Sequence, residues 1–296
     1  MSEENKNEKL FYPGQTSCAG CPETIAIHHV LKAAGKNTIV VNATGCTEIF
    51  TTQYPTTAWG VNYIHVAFEN AGAVASGVRA ALDKLKQNGN VIAIAGDGGT
   101  YDIGLQALSG MLERGHKVLY ICMDNEAYAN TGVQRSGATP YAASTTTSPS
   151  GKKSIGNQTW KKSIIEIVAA HHIPYVATAS IANPNDLENK VKKALAANGP
   201  SFINVHCPCP PGWRFGAGQT VNIAKMAVET GMWVLLEIEN GTMRINQKPK
   251  FTPIADYLKT QGRFKHIKDS EIEKIQAHVY EEWKHYEAFE KKNVKL

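Results

Sequence analysis

The chain lacks any apolar run long enough to span a bilayer, and Met1 to Lys9 are polar and mixed in charge, without the apolar centre of a secretory signal. Those two absences point to a cytoplasmic protein with no membrane partner. No lysine-rich or arginine-rich stripe interleaved with aromatics occurs, so the net charge of +5 does not mark a nucleic-acid-binding chain. There is no internal repeat. Cysteines number only six, and in a reducing compartment they read as metal ligands or free thiols rather than disulfides.

What is present is globular in balance. Apolar residues make up 43% and charged residues 19% of 296, enough chain for one large α/β domain or two small ones. The organising stretch is Gly96-Asp97-Gly98-Gly99. An apolar run, Val91 to Ala95, precedes it, as expected for a buried parallel strand. Ile103, Ala107, Leu108, Met111 and Leu112 follow at helical spacing, and Gly115 closes the helix. A second strand, Val118 to Met123, leads into Asp124-Asn125-Glu126-Ala127-Tyr128-Ala129-Asn130.

This order of strand, glycine turn, helix, strand and polar loop suits a diphosphate held through a divalent ion. Glycines admit the backbone to phosphate oxygens, and a helix start offers free N–H groups. Asp97 supplies one hard oxygen, and Asn125 with a carbonyl of its loop supplies others, in keeping with Mg²⁺. Asn125 follows Gly99 by 26 residues, the spacing of thiamine diphosphate enzymes. A plain glycine turn is the alternative. No GxGxxG or Walker lysine motif occurs in this stretch.

Cys18, Cys21 and Cys46 form a C-x2-C-x24-C array. Cys46 falls after the strand Thr38 to Asn42, and Cys207 or Cys209 follows the strand Phe202 to Val205. Ligands gather at strand C-termini in open α/β sheets, so a fourth thiolate can converge there. Four cysteines fit structural zinc or a [4Fe–4S] cluster equally well on spacing. Cys122, inside an apolar strand, reads as structural.

Elsewhere, helices are expected over 23–34, from 71 to Leu85, over 159–171 with Ile164, Ile165, Ile167 and Val168 on or near the buried face, from Pro184 and over 221–232. Strands are expected over 63–68 and 175–179, with a short one within 233–240. Residues 134–158 read as a long loop, either functional or solvated. The charged helix 269–292 carries Tyr280, Trp283, Tyr286 and Phe289 as an apolar stripe, to be covered by this chain or by another.

Together these residues resemble the beta subunits of 2-oxoacid:ferredoxin oxidoreductases, most closely those acting on pyruvate. The matching stretches are Cys18 to Thr24, Asn42 to Cys46, Ala67 to Gly72, Gly96 to Gly104, Asp124 to Gly132 and Pro208 to Trp213. The resemblance implies an α/β thiamine-diphosphate-binding fold with a mainly parallel sheet and helices on both faces. It implies an N-terminal arm (1–17), a cofactor domain (18–240) and a C-terminal helical extension at a subunit interface (241–296).

It further implies thiamine diphosphate, Mg²⁺ and a [4Fe–4S] cluster as cofactors. Cys18, Cys21, Cys46 and Cys209 would ligate the cluster; Asp97, Asn125 and the Ala127 carbonyl would hold Mg²⁺. Glu23, Cys46, Gly96, Gly98, Gly99 and Tyr128 would line the thiamine cofactor, with Asn130 and Glu23 as the catalytic candidates. The implied reaction is oxidative decarboxylation of pyruvate with coenzyme A. Electrons pass to ferredoxin, and alpha, gamma and delta-type subunits complete the enzyme. The carboxylate that activates the cofactor would come from the alpha subunit.

Overall fold

In a computed structural model, residues 9–292 are described; residues 1–8 of the expected N-terminal arm lie outside them. Helix α1 (Pro22–Ala34), begun by proline at its first turn, leads to strand β1 (Thr38–Ala43) and the short helix α2 (Cys46–Thr51). Strand β2 (Asn62–Val66), helix α3 (Ala71–Lys84) and strand β3 (Asn90–Gly96) follow. Helix α4 (Leu105–Glu113) and strand β4 (Leu119–Asp124) complete the first half.

The loop after β4 contains a two-residue hairpin, β5 (Ser150–Gly151) and β6 (Ser154–Ile155). Then come α5 (Ile164–Ala169), β7 (Tyr175–Ser180), α6 (Pro184–Ala196), β8 (Ser201–His206) and α7 (Pro210–Trp213). Helix α8 (Thr220–Thr230), strands β9 (Leu235–Glu239) and β10 (Thr242–Gln247), helix α9 (Ile254–Lys259) and the long α10 (Asp269–Lys292) end the chain.

Eight strands form one sheet in the order β10-β9-β7-β8-β4-β3-β1-β2. The six from β7 to β2 are parallel, and β9 and β10 are added antiparallel. Alternate residues of β3 face opposite sides. Val91, Ala93 and Ala95 pack with α3, α4 and α5, while Ile92 and Ile94 pack with α1 and α6. A third apolar cluster, around Trp213, Tyr257, Phe264 and Trp283, seats α8, α9 and α10 on the body.

From β1 the chain moves outward to β2 and then back past β1 to β3, so the strand order reverses between β1 and β3. In open α/β sheets such a reversal opens a crevice at the strand C-termini.

Two local expectations are corrected, and two open readings are decided. The helix expected over 159–171 is only Ile164–Ala169, because Lys161 and Lys162 ahead of it turn back into ion pairs with Asp124, Glu126 and Asp102. The chain after Asp97 first makes a π-helical turn, Gly98–Asp102, which leaves Ile103 exposed rather than in the apolar stripe. Residues 136–145 of the long loop are buried, not solvated. Of the C-terminal aromatics, Trp283 is buried and Tyr286 and Phe289 pack on the sheet side, while Tyr280 stays exposed.

Candidate functional site

A cavity of about 260 Å³ opens at the β1/β3 reversal. Its walls come from three strand ends: Asn42 to Thr47 after β1, Gly96 to Gly98 after β3, and Asn125 with Ala127 to Thr131 after β4. Glu23 of α1 and Phe68 complete it. A second cavity of about 120 Å³, walled by Trp160, Trp233 and α10, lies on the far side of Tyr101 and contains none of the glycine turn.

The glycine turn is shaped by crowding. A Cβ at Gly98 would lie 2.5 Å from the Tyr128 ring, and one at Gly104 would overlap the Gly99 carbonyl. Gly99 itself lies off the cavity wall, beneath Phe68. Asp97, fully buried, accepts a short hydrogen bond from Ser136 on Oδ2. Its Oδ1 has no partner, and neither has Oδ1 of the buried Asn125 across the cavity. Burial, and next the nearby Asp124, push the Asp97 carboxyl well above its usual range.

A buried carboxylate oxygen and a buried amide oxygen, both unpartnered and both on one cavity, cost free energy unless something occupies them. Hard oxygens of this kind fit a divalent cation whose remaining positions a diphosphate fills. Among the described residues no three His, Cys, Asp or Glu side chains gather as a metal-ion site by themselves. The set found here relies instead on one carboxylate, one amide and ligand oxygens.

Glu23 is buried, and burial raises its carboxyl above the ordinary value. Its Oε2 accepts from Thr47 Oγ1 at 2.5 Å and its Oε1 from Asn125 Nδ2 at 3.1 Å. The second bond fixes which way the Asn125 amide faces, leaving its oxygen free. Tyr128 donates to Asp102 at 3.1 Å and packs on Phe68. Asn130 stands exposed at the rim.

Of the cysteines, Cys46 lies on this cavity, at the start of α2, with Cys209, Cys21 and Cys18 near enough to act on its thiol. Burial pushes the Cys21 and Cys46 thiols far up, and the Cys209 thiol up to about 12. Cys18 is exposed, and Cys21, Cys46 and Cys209 are partly so. Cys207, by contrast, is wholly buried in the apolar layer beneath, and its N–H donates to the Asp124 carbonyl. Cys122 is buried within β4.

Sequence reading missed Thr47, Phe68, Ser136 and Trp213. Thr47 adjoins Cys46 and was within reach of inference; Ser136, 39 residues from Asp97, carries no local signal.

Residues 43–205 match the family model for the thiamine pyrophosphate enzyme C-terminal TPP-binding domain. The chain is 54% identical over 274 residues to the pyruvate synthase subunit PorB of Methanothermobacter thermautotrophicus, covering 92% of this chain and 95% of that one. It is 50% identical over 285 residues to the ketoisovalerate oxidoreductase subunit VorB of Pyrococcus abyssi, covering 93% and 92%. Among solved structures, a 2-oxoglutarate:ferredoxin oxidoreductase from Magnetococcus marinus superposes with a TM-score of 0.59 at 20% identity, covering 75% of this chain and 82% of that one, a likeness of fold. No helix among the described residues is long and apolar enough to cross a membrane. The cavity therefore belongs to a thiamine-diphosphate-binding domain, and the chain belongs to the beta-subunit family of the 2-oxoacid:ferredoxin oxidoreductases.

Proposed function

We propose that this subunit carries the oxidative decarboxylation of pyruvate: pyruvate, coenzyme A and oxidised ferredoxin give acetyl-CoA, CO₂, a proton and reduced ferredoxin, and the reaction is reversible. The observation that carries the reading is the pair of unpartnered buried oxygens, Asp97 Oδ1 and Asn125 Oδ1, on a cavity that also carries Cys46, whose thiol feels Cys209, Cys21 and Cys18. Pyruvate is preferred because relatives named for it reach 54% identity, within a range down to 48%, against 50% and 49% for two named for ketoisovalerate.

Thiamine diphosphate, when bound, supplies a nucleophilic carbon and an electron sink. Asp97, Asn125 and the Ala127 carbonyl would hold Mg²⁺, and Gly96 and Gly98 would leave room for the diphosphate. Glu23 orients Asn125 and closes the inner wall. Asn130 at the rim contacts the 2-oxoacid. Cys18, Cys21, Cys46 and Cys209 would hold a [4Fe–4S] cluster, which would supply a single-electron acceptor; Cys209 is chosen over Cys207 because it is partly exposed while Cys207 is wholly buried.

Alpha, gamma and delta-type subunits supply the activating carboxylate, the further clusters and the ferredoxin contact. The described part of the C-terminal extension, 241–292, lies against them, in the cytoplasm. The test is viologen reduction by the complex purified without oxygen. Pyruvate with coenzyme A is expected to outpace 2-oxoisovalerate, 2-oxoglutarate and oxalate. Preference for another of these acids would keep the chemistry and overturn the substrate.

A further inference from the structure

We propose that Arg263 is a positioning residue that locks the metal-binding turn and the cysteine-bearing turn to one another. It comes from the C-terminal segment, in a turn between α9 and α10, and is 3% exposed. Its Nη2 donates to Glu126 Oε2 at 2.7 Å and its Nε to Gln261 at 2.9 Å, and its carbonyl accepts from the Ser144 N–H at 2.9 Å. Its guanidinium lies 3.6 Å over the Trp213 ring. That indole, four residues past Cys209, donates to the Asn125 carbonyl at 2.8 Å.

Glu126 is the centre of this arrangement. It sits between Asn125 and Ala127 with φ +63°, a conformation that a residue with a long side chain seldom adopts. Four contacts hold it there: Arg263 on one carboxylate oxygen, Lys161 at 3.2 Å on the other, the Thr139 hydroxyl on its carbonyl at 2.7 Å, and its own N–H donating to Asp124 Oδ1 at 3.2 Å. The left-handed turn at Glu126 sets the directions of both flanking residues. Arg263 reaches both this turn, through Glu126, and, by its stacked face, the helix that follows Cys209, beside the direct Trp213–Asn125 bond. A planar fork that stacks and donates at once is something lysine cannot reproduce.

The inference rests on the reading of Asp97, Asn125 and Ala127 as the Mg²⁺–diphosphate site. Thiamine diphosphate binding in the presence of Mg²⁺ is measured by calorimetry on the cofactor-stripped complex, together with the electron paramagnetic resonance spectrum of the dithionite-reduced complex. Arg263→Met is expected to weaken binding roughly tenfold to a hundredfold, the usual cost of losing a partner behind a metal ligand, and to alter the spectrum of the adjoining cluster. Arg263→Lys should restore only part of the affinity. Glu126→Gln should weaken binding without changing the spectrum, and the double variant should be no worse than the weaker single one.

Asp97→Ala is the control for the underlying reading: if it binds like the wild type, the metal site itself is misassigned. If Asp97→Ala fails to bind while both Arg263 variants and Glu126→Gln bind normally, the positioning role is overturned. Should Arg263→Met fail to assemble, Arg263→Lys and Glu126→Gln decide by the same criterion.

Discussion

The indole of Trp213 donates a hydrogen bond of 2.8 Å to the backbone carbonyl of Asn125, joining residues 88 positions apart. One residue belongs to the turn after the last cysteine, the other to the turn after β4 that faces the cavity. Both are buried, so the bond is not exchanged for water. Trp213→Phe keeps the stack with Arg263 but removes the donor and orphans the carbonyl. A loss of about 1–3 kcal/mol is expected, read as a lower melting temperature of the complex, with weaker thiamine diphosphate binding.

Asp97 illustrates a site held at a cost to the empty protein. Its carboxylate is buried beside Asp124, with Oδ1 unpartnered. Asp97→Asn removes the charge and keeps the shape. The cofactor-free complex should melt higher by the equivalent of roughly 1 kcal/mol, while Mg²⁺-dependent thiamine diphosphate binding should fall by about a hundredfold or more. Paired melts with and without cofactor test both directions at once.

Gly98 faces the Tyr128 ring so closely that a Cβ would sit 2.5 Å from it. Gly98→Ala is therefore expected to cost about 1–3 kcal/mol through overpacking and to displace Tyr128 from the cavity wall. Tyr128→Leu added to Gly98→Ala should recover part of that stability. Equal melting temperatures for single and double variants would count against the clash.

His206 gives the acid limb of the stability profile a definite shape. Burial pushes its imidazole from 6.5 down to about 3, and it is stacked on Trp233 with 4.6 Å between ring centres. The native state holds it neutral, so between those values the unfolded chain binds the extra proton. Its contribution is complete above about pH 6.5 and lost as pH falls towards 3, with a slope of at most about 1.4 kcal/mol per pH unit. His206→Phe keeps the stack and should flatten melting temperature against pH in that window.

Much of the site was legible because its residues follow strands whose apolar runs are unmistakable. Gly96-Asp97-Gly98 after β3 and Asn125 after β4 are placed by those strands alone. The C-x2-C pair and Cys46 are likewise placed by α1 and β1. What was not legible depends on long-range contacts between polar residues. Lys161 falls within the helix expected over 159–171, yet its 2.8 Å pair with Asp124 draws it inward and shortens α5. Arg263 and Glu126 are 137 residues apart, and no periodicity links them. β10 was missed because its pattern is largely polar, as suits an edge strand with one half-exposed face.

Cys18, Cys21, Cys46 and Cys209 are proposed to hold an electron acceptor beside the thiamine cavity. The direct measurement is rapid-freeze electron paramagnetic resonance of the oxygen-free complex after mixing with pyruvate, for the wild type, Cys46→Ser, Cys209→Ser and Cys207→Ser. The account predicts that Cys46→Ser and Cys209→Ser each lose one reduced-cluster signal and the iron that produces it while still binding thiamine diphosphate, and that Cys207→Ser keeps both. An unchanged iron content and signal in Cys46→Ser and Cys209→Ser would contradict it.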